Sequence, residues 1–294
     1  MHVAVVGAGS LGSLLGGLLA REHRVTLVGR DPHVSAIREH GLRVTGVVDL
    51  TISPDADTTA PARCDLALVT TKAFDTAGAA ATLADTDAGC VVSLQNGLGN
   101  ETVLRDRLDC PVLAGTCTYG ARRSDPGVVA CTGEGTVTVG DPDGGPSEWA
   151  DRVADAFTAA DIDATASDEM PLLVWQKLAV NVGINATTAL ARTENGALLD
   201  GPASSVAAAA ARETATVARS EGVDLADETA TDAVERVARN TRANRSSMLQ
   251  DIDARRRTEV DAIVGPVADH AEPTPVAATL AGLLRAWEAE RGLR

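Results

Sequence analysis

Short apolar runs alternate with helical patterns along the first third of the chain. The strand-like runs, rich in β-branched and aliphatic side chains, are residues 3–6, 25–28, 66–70 and 90–94. A first helical pattern follows the first strand-like run and ends at about residue 20. Two further helical patterns cover residues 76–84 and 101–108. Strands that alternate with helices predict a parallel sheet that is covered on both faces.

The pattern changes twice further along the chain. Residues 112–139 contain strands without long helices between them, which predicts a mixed-sheet extension of the first domain. After about residue 167 only helical patterns remain, at 171–185, 203–220, 227–242, 248–264 and 275–290. We therefore predict an α/β domain over residues 1–167 and an all-helical domain over residues 168–294.

Composition narrows the class of protein. The 294 residues are 45% hydrophobic but only 2% aromatic, so the cores must be built from Val, Leu, Ile and Ala. With 41 acidic and 26 basic residues the net charge is −15, which argues against a nucleic-acid-binding protein. The five cysteines are odd in number and lack CxxC spacing, which argues against a disulfide framework or a zinc site. We find no signal peptide and no apolar run of roughly 20 residues, so we expect no membrane association and a cytoplasmic location.

A glycine-rich segment follows the first predicted strand and opens the first predicted helix. Its residues are Gly7, Ala8, Gly9, Ser10, Leu11 and Gly12. The first glycine permits a tight turn, the second lets backbone N–H groups approach a pyrophosphate, and the third allows the helix to pack closely on the strand. The helix N-terminus favours anionic phosphates. This context predicts a Rossmann-type dinucleotide-binding domain.

The end of the second predicted strand indicates which dinucleotide binds. Arg30 stands where an acidic residue would favour NAD, and an arginine suits the 2′-phosphate of NADP. Asp31 follows directly. The sequence therefore favours NADP(H) and leaves NAD open.

Lys72 and Lys177 are the only lysines among 26 basic residues. Unlike arginine, lysine releases its proton readily and tunes its pKa, so both are candidates for chemistry. Lys72, the glycine segment, Arg30 and the Gln-Asn-Gly sequence at 95–97 each follow the carboxyl end of a predicted strand. Ligands bind at that edge of an open α/β sheet, so these segments predict one binding edge.

Three polar residues interrupt an apolar helical pattern in the second domain. Lys177, Asn181 and Asn185 are spaced i, i+4, i+8 and form one slowly drifting stripe on an ideal helix. An unpaired buried amide costs on the order of 1–3 kcal/mol. The stripe must therefore face either solvent or a ligand.

Three further residues have ordinary structural interpretations when they are considered alone. Asn195 precedes a glycine and indicates a turn, while Ser247 with Gln250 fits a helix capping box. Glu259 fits a surface charge on the same predicted helix.

Taken together, these segments resemble the ketopantoate reductase (2-dehydropantoate 2-reductase) family. The shared segments are GAGSLG at 7–12, TTK at 70–72, QNG at 95–97, WQKLAVNVGIN at 175–185, NG at 195–196 and SSMLQDIDARRRTE at 246–259. The resemblance spans nearly the whole chain. It implies NADPH-dependent reduction of ketopantoate to pantoate, a step of pantothenate and coenzyme A synthesis.

The resemblance also implies residue roles within a Rossmann domain that binds NADPH and an all-helical domain that closes the site. Lys177 matches the family's catalytic lysine. The substrate-contacting positions match Asn96, Asn181, Asn185, Asn195 and Ser247, and Asn96 also matches a cofactor contact. The remaining cofactor-side positions match Lys72, Ala121 and Glu259. Because Ser247 and Glu259 would lie about 18 Å apart on one ideal helix, we expect that helix to start at or after Ser247 and to follow a long cleft.

The chemistry that this implies is simple. Hydride reaches the ketone carbon from the cofactor, while the Lys177 ammonium stabilises the developing charge on oxygen and supplies a proton. The asparagines would orient the 2-oxo acid, and Ser247 would donate to its carboxylate.

Two alternative functions remain. One is a related dehydrogenase acting on another 2-oxo or 3-hydroxy acid, such as a relative of the 6-phosphogluconate or opine dehydrogenases. The other is an NADPH-sensing module without turnover. No helical pattern marks an interface, which leaves a homodimer open.

The acidic balance adds one expectation. Both proposed ligands are anions, and a net charge of −15 should repel them in dilute buffer. The Debye length falls to about 3 Å at 1 M salt, so salt should screen this repulsion. Together with the scarce lysines, the acidic excess resembles proteins of salt-loving organisms, although high-GC codon usage would also favour arginine over lysine. We expect turnover and folding to require high salt, and equal turnover in dilute buffer and in molar salt would contradict this.

Overall fold

The computed structural model describes Met1–Arg294 and divides into two compact units. The first unit comprises Met1–Gln95 and Gly99–Met170, and the second comprises Asn96–Leu98 and Pro171–Arg294. The pattern of the sequence placed the division after residue 167 and gave no indication that residues 96–98 pack with the second unit.

All β-strands lie in the first unit. They are β1 (His2–Val6), β2 (Arg24–Val28), β3 (Leu42–Gly46), β4 (Leu50–Ile52), β5 (Asp55–Asp57), β6 (Arg63–Cys64), β7 (Leu66–Val69), β8 (Asp87–Ala88), β9 (Val91–Ser93), β10 (Val112–Cys117), β11 (Gly120–Asp125), β12 (Val128–Gly133), β13 (Val137–Gly140) and β14 (Ala164–Ala166). Its helices are α1 (Ser10–Leu19), α2 (His33–His40), α3 (Thr76–Leu83), α4 (Asn100–Arg105) and α5 (Glu148–Ala159).

Eight of these strands form the central sheet, in the order β14-β13-β10-β9-β7-β1-β2-β5. Every neighbouring pair is parallel except β10 and β13. Side chains alternate across this sheet: Val3 and Val5 of β1 enter one buried core, while Ala4 and Val6 enter the core on the other face. The predicted α/β class with a parallel sheet is confirmed.

A second, four-stranded sheet has the order β11-β12-β3-β4. The expectation that residues 112–139 extend one mixed sheet is therefore only half right. β10 and β13 join the central sheet, but β11 and β12 leave it, and β12 pairs with β3, which the pattern of the sequence did not predict. The helix α2 was missed as well.

His33 ties three elements of the first unit together. The side chain is 2% exposed, its Nδ1 accepts the Gly127 N–H at 2.9 Å, and its Nε2 lies 2.9 Å from Ser13 Oγ. Because Nδ1 is an acceptor, the ring must be neutral and carry its proton on Nε2. Burial, aided by the charge of Arg123, lowers the pKa of His33 from 6.5 to about 4.

This histidine should make the first unit sensitive to acid. A folded-state pKa below the unfolded value means that stability is lost as the pH falls through 6.5 towards 4. Between pH 7 and pH 5 we expect a loss of about 2 kcal/mol in the free energy of unfolding, measured by urea titration. His33→Gln should reduce this loss, whereas His40→Gln, which changes an exposed histidine, should not. Equal pH dependence in wild type and His33→Gln would contradict this assignment.

The second unit contains only helices. They are α6 (Met170–Asn181), α7 (Thr187–Ala191), α8 (Ala197–Asp200), α9 (Pro202–Ser220), α10 (Asp227–Asn240), α11 (Ser247–Asp253), α12 (Val260–Ile263), α13 (Gly265–Ala268) and α14 (Pro275–Ala289). Their shared core consists mainly of Ala, Val, Leu and Ile, as the low aromatic content requires. No helix is both long and apolar enough to cross a membrane.

The helix predicted over residues 248–264 is wrong. α11 ends at Asp253, Arg255 adopts a left-handed φ of 52°, and a new short helix begins at Val260. The expected long helix along a cleft therefore does not exist. The cap is also one residue earlier than predicted, because Ser246 rather than Ser247 accepts the Leu249 N–H.

The helix predicted over residues 171–185 changes its geometry before it ends. α6 stops at Asn181 and a π-helical turn, Val182–Ala186, leads into α7. A π turn rotates less per residue than an α turn because its hydrogen bonds join i and i+5. On an ideal α-helix, each step of four residues moves a side chain slightly forward around the helix axis. The π turn reduces this rotation, so Asn185 stays closer to the face that carries Lys177 and Asn181.

Candidate functional site

The glycine loop in the first unit is built by close backbone contacts. Gly7 has φ 107°, and a Cβ there would lie 2.7 Å from the Thr71 nitrogen. A Cβ on Gly12 would lie 2.3 Å from the Gly7 oxygen and 2.4 Å from Thr70 Oγ1. Thr70 Oγ1 donates to the Gly7 oxygen at 2.9 Å, so the end of β7 holds the loop in shape.

The loop fits a pyrophosphate. A Cβ on Gly9 would meet only the Gly7 oxygen, at 3.8 Å, so space remains on the outer side of the turn. Gly9 caps α1 without a side-chain hydrogen bond, which leaves the first N–H groups of that helix for an anion. A Cβ would clash at Gly7 and Gly12 but not at Gly9. This order of crowded and open positions is the one expected for a dinucleotide-binding loop.

The second strand ends in one exposed arginine. The Arg30 side chain is 90% exposed, and its Nη2 lies 3.7 Å from Asp75 Oδ2, beyond the end of β7. The neighbouring Asp31 is used locally: its Oδ1 accepts the Ser35 N–H at 3.1 Å and the Ser35 hydroxyl at 2.6 Å. These two hydrogen bonds lower the pKa of Asp31. Asp31 is therefore hydrogen-bonded to Ser35 in the first turn of α2, while Arg30 stays exposed.

Lys72 lies in a loop that a buried glutamine fixes. Gln95, 7% exposed, donates from Nε2 to the Thr71 hydroxyl at 3.1 Å and to the Thr76 hydroxyl at 2.8 Å. It also lies within 3.4 Å of the Lys72 carbonyl oxygen. This role of Gln95 is not predictable from the Gln-Asn-Gly segment, because nothing local indicates which loop the amide reaches.

Ala121 lies in β11, which packs against α1. The connection is direct two residues later, where the Arg123 N–H donates to Ser10 Oγ at 3.0 Å. Of the predicted cofactor-side residues, the glycine loop, Arg30, Lys72 and Ala121 all lie in the first unit. The loop, Arg30 and Lys72 follow the carboxyl ends of β1, β2 and β7.

Asn96 and Glu259 lie in the second unit instead. The Leu98 N–H donates to the Ala262 oxygen at 3.0 Å, and a Cβ on Gly97 would lie 2.4 Å from that same oxygen. The Ala262 N–H in turn donates to the Glu259 oxygen at 3.2 Å. The loop that carries Asn96 is therefore bonded to the turn that begins at Glu259, although 163 residues separate them in the sequence.

Lys177, Asn181 and Asn185 all project from α6 and the π turn that follows it. Asn185 is 7% exposed, and Asn181 has a buried Nδ2 without a hydrogen-bond partner. A buried amide donor in that condition is costly, so its position favours a ligand acceptor.

Asn195 has an unused acceptor where Asn181 has an unused donor. Its Nδ2 donates to Thr241 Oγ1 at 2.8 Å, while its Oδ1 is buried without a partner. The Thr241 hydroxyl lies 2.6 Å from the Val237 oxygen and must donate its proton there, so it can only accept from Asn195. This network fixes the orientation of the amide and leaves an acceptor unused.

Ser247 is the first residue of α11, directly after the capping Ser246. The N–H of Asn195 donates to the Asn244 oxygen at 3.0 Å, which brings the Asn195 turn to the segment before α11. The second unit thus holds Asn96, Lys177, Asn181, Asn185, Asn195, Ser247 and Glu259.

A buried carboxylate that the sequence analysis missed supports the segment before Glu259. Glu288 in α14 is 0% exposed, and its Oε1 accepts both the N–H and the hydroxyl of Thr258 at 2.6 Å. Its Oε2 pairs with Arg294 at 3.1 Å, and Arg294 also pairs with Asp261 at 3.0 Å. A glutamate in a helical pattern gives no sequence indication of burial, because its partner lies 30 residues away.

Comparison with known proteins agrees with this arrangement. Residues 3–144 match the family described as ketopantoate reductase PanE/ApbA, and residues 169–288 match its C-terminal domain. A 2-dehydropantoate 2-reductase of Halobacterium salinarum is 42% identical over 97% of this chain and 98% of that protein. A PanE/ApbA family ketopantoate reductase from Ralstonia eutropha has a TM-score of 0.90 at 31% identity, over 99% of this chain and 100% of that one. D-mandelate dehydrogenase, solved with NADH and anilino(oxo)acetate, has a TM-score of 0.93 at 25% identity over 100% of both chains. The chain belongs to the ketopantoate reductase family.

Proposed function

We propose that this protein reduces ketopantoate to pantoate with NADPH, as a step of pantothenate and coenzyme A synthesis. The observation that carries the proposal is the pair of unused buried amide atoms in the second unit, the donor Asn181 Nδ2 and the acceptor Asn195 Oδ1. A 2-oxo acid with a distal hydroxyl offers acceptors at its carboxylate and carbonyl and a donor at its hydroxyl. Ketopantoate has this combination of groups.

Lys177 is the proposed catalytic residue. When bound, the reduced nicotinamide cofactor supplies hydride to the keto carbon. The Lys177 ammonium stabilises the charge that develops on the keto oxygen and gives that oxygen a proton. Lys177 must therefore be protonated at the start of reduction. Asn181, one turn further along α6, and Asn185, in the π turn that follows, orient the substrate beside it.

The remaining site residues have proposed binding roles. Asn195 Oδ1 accepts a hydrogen bond from the distal hydroxyl, Ser247 donates to the carboxylate, and Asn96 contacts both substrate and cofactor. The glycine loop holds the pyrophosphate, and Lys72, Ala121 and Glu259 contact the cofactor. The first unit is thus the proposed cofactor domain, and the second carries the proposed catalytic and substrate residues.

A panel of substrates and cofactors tests the function. We expect NADPH oxidation with ketopantoate and, at most, weak oxidation with 3-methyl-2-oxobutanoate, which lacks only the hydroxymethyl group. An unpaired buried acceptor can cost on the order of 10⁴ in kcat/KM. Equal turnover of the two acids would contradict the role of Asn195. No turnover of any 2-oxo acid would favour a cofactor-sensing protein, and size-exclusion chromatography of the same sample distinguishes a monomer from a homodimer.

A second candidate function is reduction of a bulkier 2-oxo acid. The similarity to D-mandelate dehydrogenase, whose structure holds anilino(oxo)acetate, favours including phenylglyoxylate in the panel. Preference for phenylglyoxylate over ketopantoate would select this alternative.

Preference for NADPH is expected to depend on Arg30. Charge-assisted hydrogen bonds to phosphate contribute roughly 1.5–3 kcal/mol, so Arg30→Ser should raise the KM for NADPH about 30-fold. The KM for NADH should change less than threefold, because NADH lacks the 2′-phosphate. Arg21→Ser, another arginine of the first unit, is the matched control. An equal rise for both cofactors would contradict the proposed contact.

A further inference from the structure

A chain of buried hydroxyl groups links two segments of the second unit that are far apart in sequence. Thr188, 0% exposed, has its Oγ1 at 2.7 Å from the Ile184 oxygen and at 2.8 Å from Ser246 Oγ. Ser246, 6% exposed, accepts the Leu249 N–H at 3.2 Å. These two hydroxyl groups therefore form a bridge from the π turn at 182–186 to the N-terminus of α11.

The protons can be assigned. Each hydroxyl has one proton, and both side chains are shielded from water. Thr188 is the donor of the bridge, because its hydroxyl is directed at both the Ile184 oxygen and Ser246 Oγ. Ser246 Oγ accepts from Thr188 and from the Leu249 N–H at the cap of α11. Loss of either hydroxyl therefore leaves a buried polar partner unpaired.

Each end of the hydroxyl bridge lies beside a proposed substrate residue. Asn185 follows Ile184 in the π turn, and Ser247 follows Ser246 at the first position of α11. π turns inside helices occur frequently at functional sites, and this one gives Asn185 its place after Asn181. A shift of either segment along the hydroxyl bridge would change the spacing between the two substrate residues.

We propose that Thr188 and Ser246 are positioning residues that hold Asn185 and Ser247 at a fixed spacing for the substrate. Neither hydroxyl contacts the substrate. The inference rests on the proposed function, because it assigns the bridged segments to ketopantoate binding. It adds that affinity for the acid depends on a bridge between α7 and the cap of α11.

The test uses Thr188→Val, which keeps the shape of the side chain and removes the hydroxyl, and Ser246→Ala. Each should raise the KM for ketopantoate about tenfold, which corresponds to about 1.4 kcal/mol, with kcat and the KM for NADPH changed less than twofold. Because both remove the same bridge, the double variant should show a rise of about tenfold rather than a hundredfold. Thr188→Ser retains the hydroxyl and should restore the wild-type KM.

The chain supplies matched controls. Thr214 is also 0% exposed and bonds the carbonyl four residues earlier, Ala210, at 2.9 Å, so Thr214→Val removes an equivalent hydroxyl in α9. Ser147 caps α5 in the first unit, so Ser147→Ala removes a cap without touching the bridge. Both controls should keep the wild-type KM for ketopantoate.

Several outcomes would overturn the inference. These are a wild-type KM in Thr188→Val, equal effects of Thr188→Val and Thr214→Val, or a multiplicative effect in the double variant. If Thr188→Val fails to fold, Ser246→Ala and Thr188→Ser still test the bridge, with binding of pantoate by calorimetry as a readout independent of turnover. Wild-type protein that does not reduce ketopantoate but binds pantoate with the bridge dependence would instead reject only the proposed function.

Discussion

Lys177→Ala is expected to lower kcat for ketopantoate reduction about a thousandfold while changing the KM for NADPH less than threefold. General acid catalysis contributes typically 10²–10⁴-fold, and a charged donor at the developing oxyanion contributes a similar factor, with strong overlap when one group supplies both. Steady-state kinetics with saturating NADPH measure this effect. It is the largest that we expect from a single substitution.

Lys177→Arg separates the two roles of the lysine. A guanidinium keeps the positive charge but does not release its proton, so we expect charge stabilisation to be partly retained and proton transfer to be lost. Activity should lie between those of wild type and Lys177→Ala. Gln176→Ala changes the preceding residue of α6 and serves as the control with wild-type kcat. Wild-type turnover in Lys177→Ala would remove the proposed mechanism.

Glu288→Ala should have the largest effect on stability, a loss of about 3–5 kcal/mol in the free energy of unfolding. The substitution leaves Thr258 without the acceptor of its N–H and hydroxyl, and it removes the carboxylate that pairs with Arg294. Thr258 is 2% exposed, so its N–H and hydroxyl stay desolvated without an acceptor, whereas Arg294 keeps its pair with Asp261. Urea unfolding followed by the fluorescence of Trp175 and Trp287, both in the second unit, measures the loss.

The residue directly after the same helix provides the control. Glu290 is 79% exposed and pairs with Arg291 at 3.2 Å on the surface. Surface pairs contribute at most about 1 kcal/mol, so Glu290→Ala should be close to neutral. If Glu288→Ala and Glu290→Ala destabilised the protein equally, Glu288 would not be the support of the 258–261 segment.

The sequence was sufficient for the features that depend on local pattern. β-Branched runs located β1, β2, β7 and β9 to within about one residue at each end. The glycine spacing and its position between β1 and α1 predicted a loop whose close contacts the structure confirms. These features are predictable because the residues that determine them lie within a few positions of one another.

The features that were missed depend on distant partners. The second sheet exists because β3 pairs with β12, and neither strand indicates the other locally. The break after Asp253 places Arg255 in a left-handed conformation without a glycine, so the helical pattern of 248–264 gave no warning. The choice of Ser246 over Ser247 as the cap depends on its contact with Thr188, 58 residues earlier.

Because Asn96–Leu98 pack with the second unit, they restrict where two members of this family can be joined in a chimeric protein. A crossover placed at the obvious junction, between Met170 and Pro171, would pair a loop from one parent with a 259–262 turn from the other. The Ala262 oxygen leaves no room for a side chain at Gly97, so the two pieces must be inherited as a matched set. Chimeric genes that join members of this family should therefore work best when codons 96–98 travel with the carboxy-terminal half.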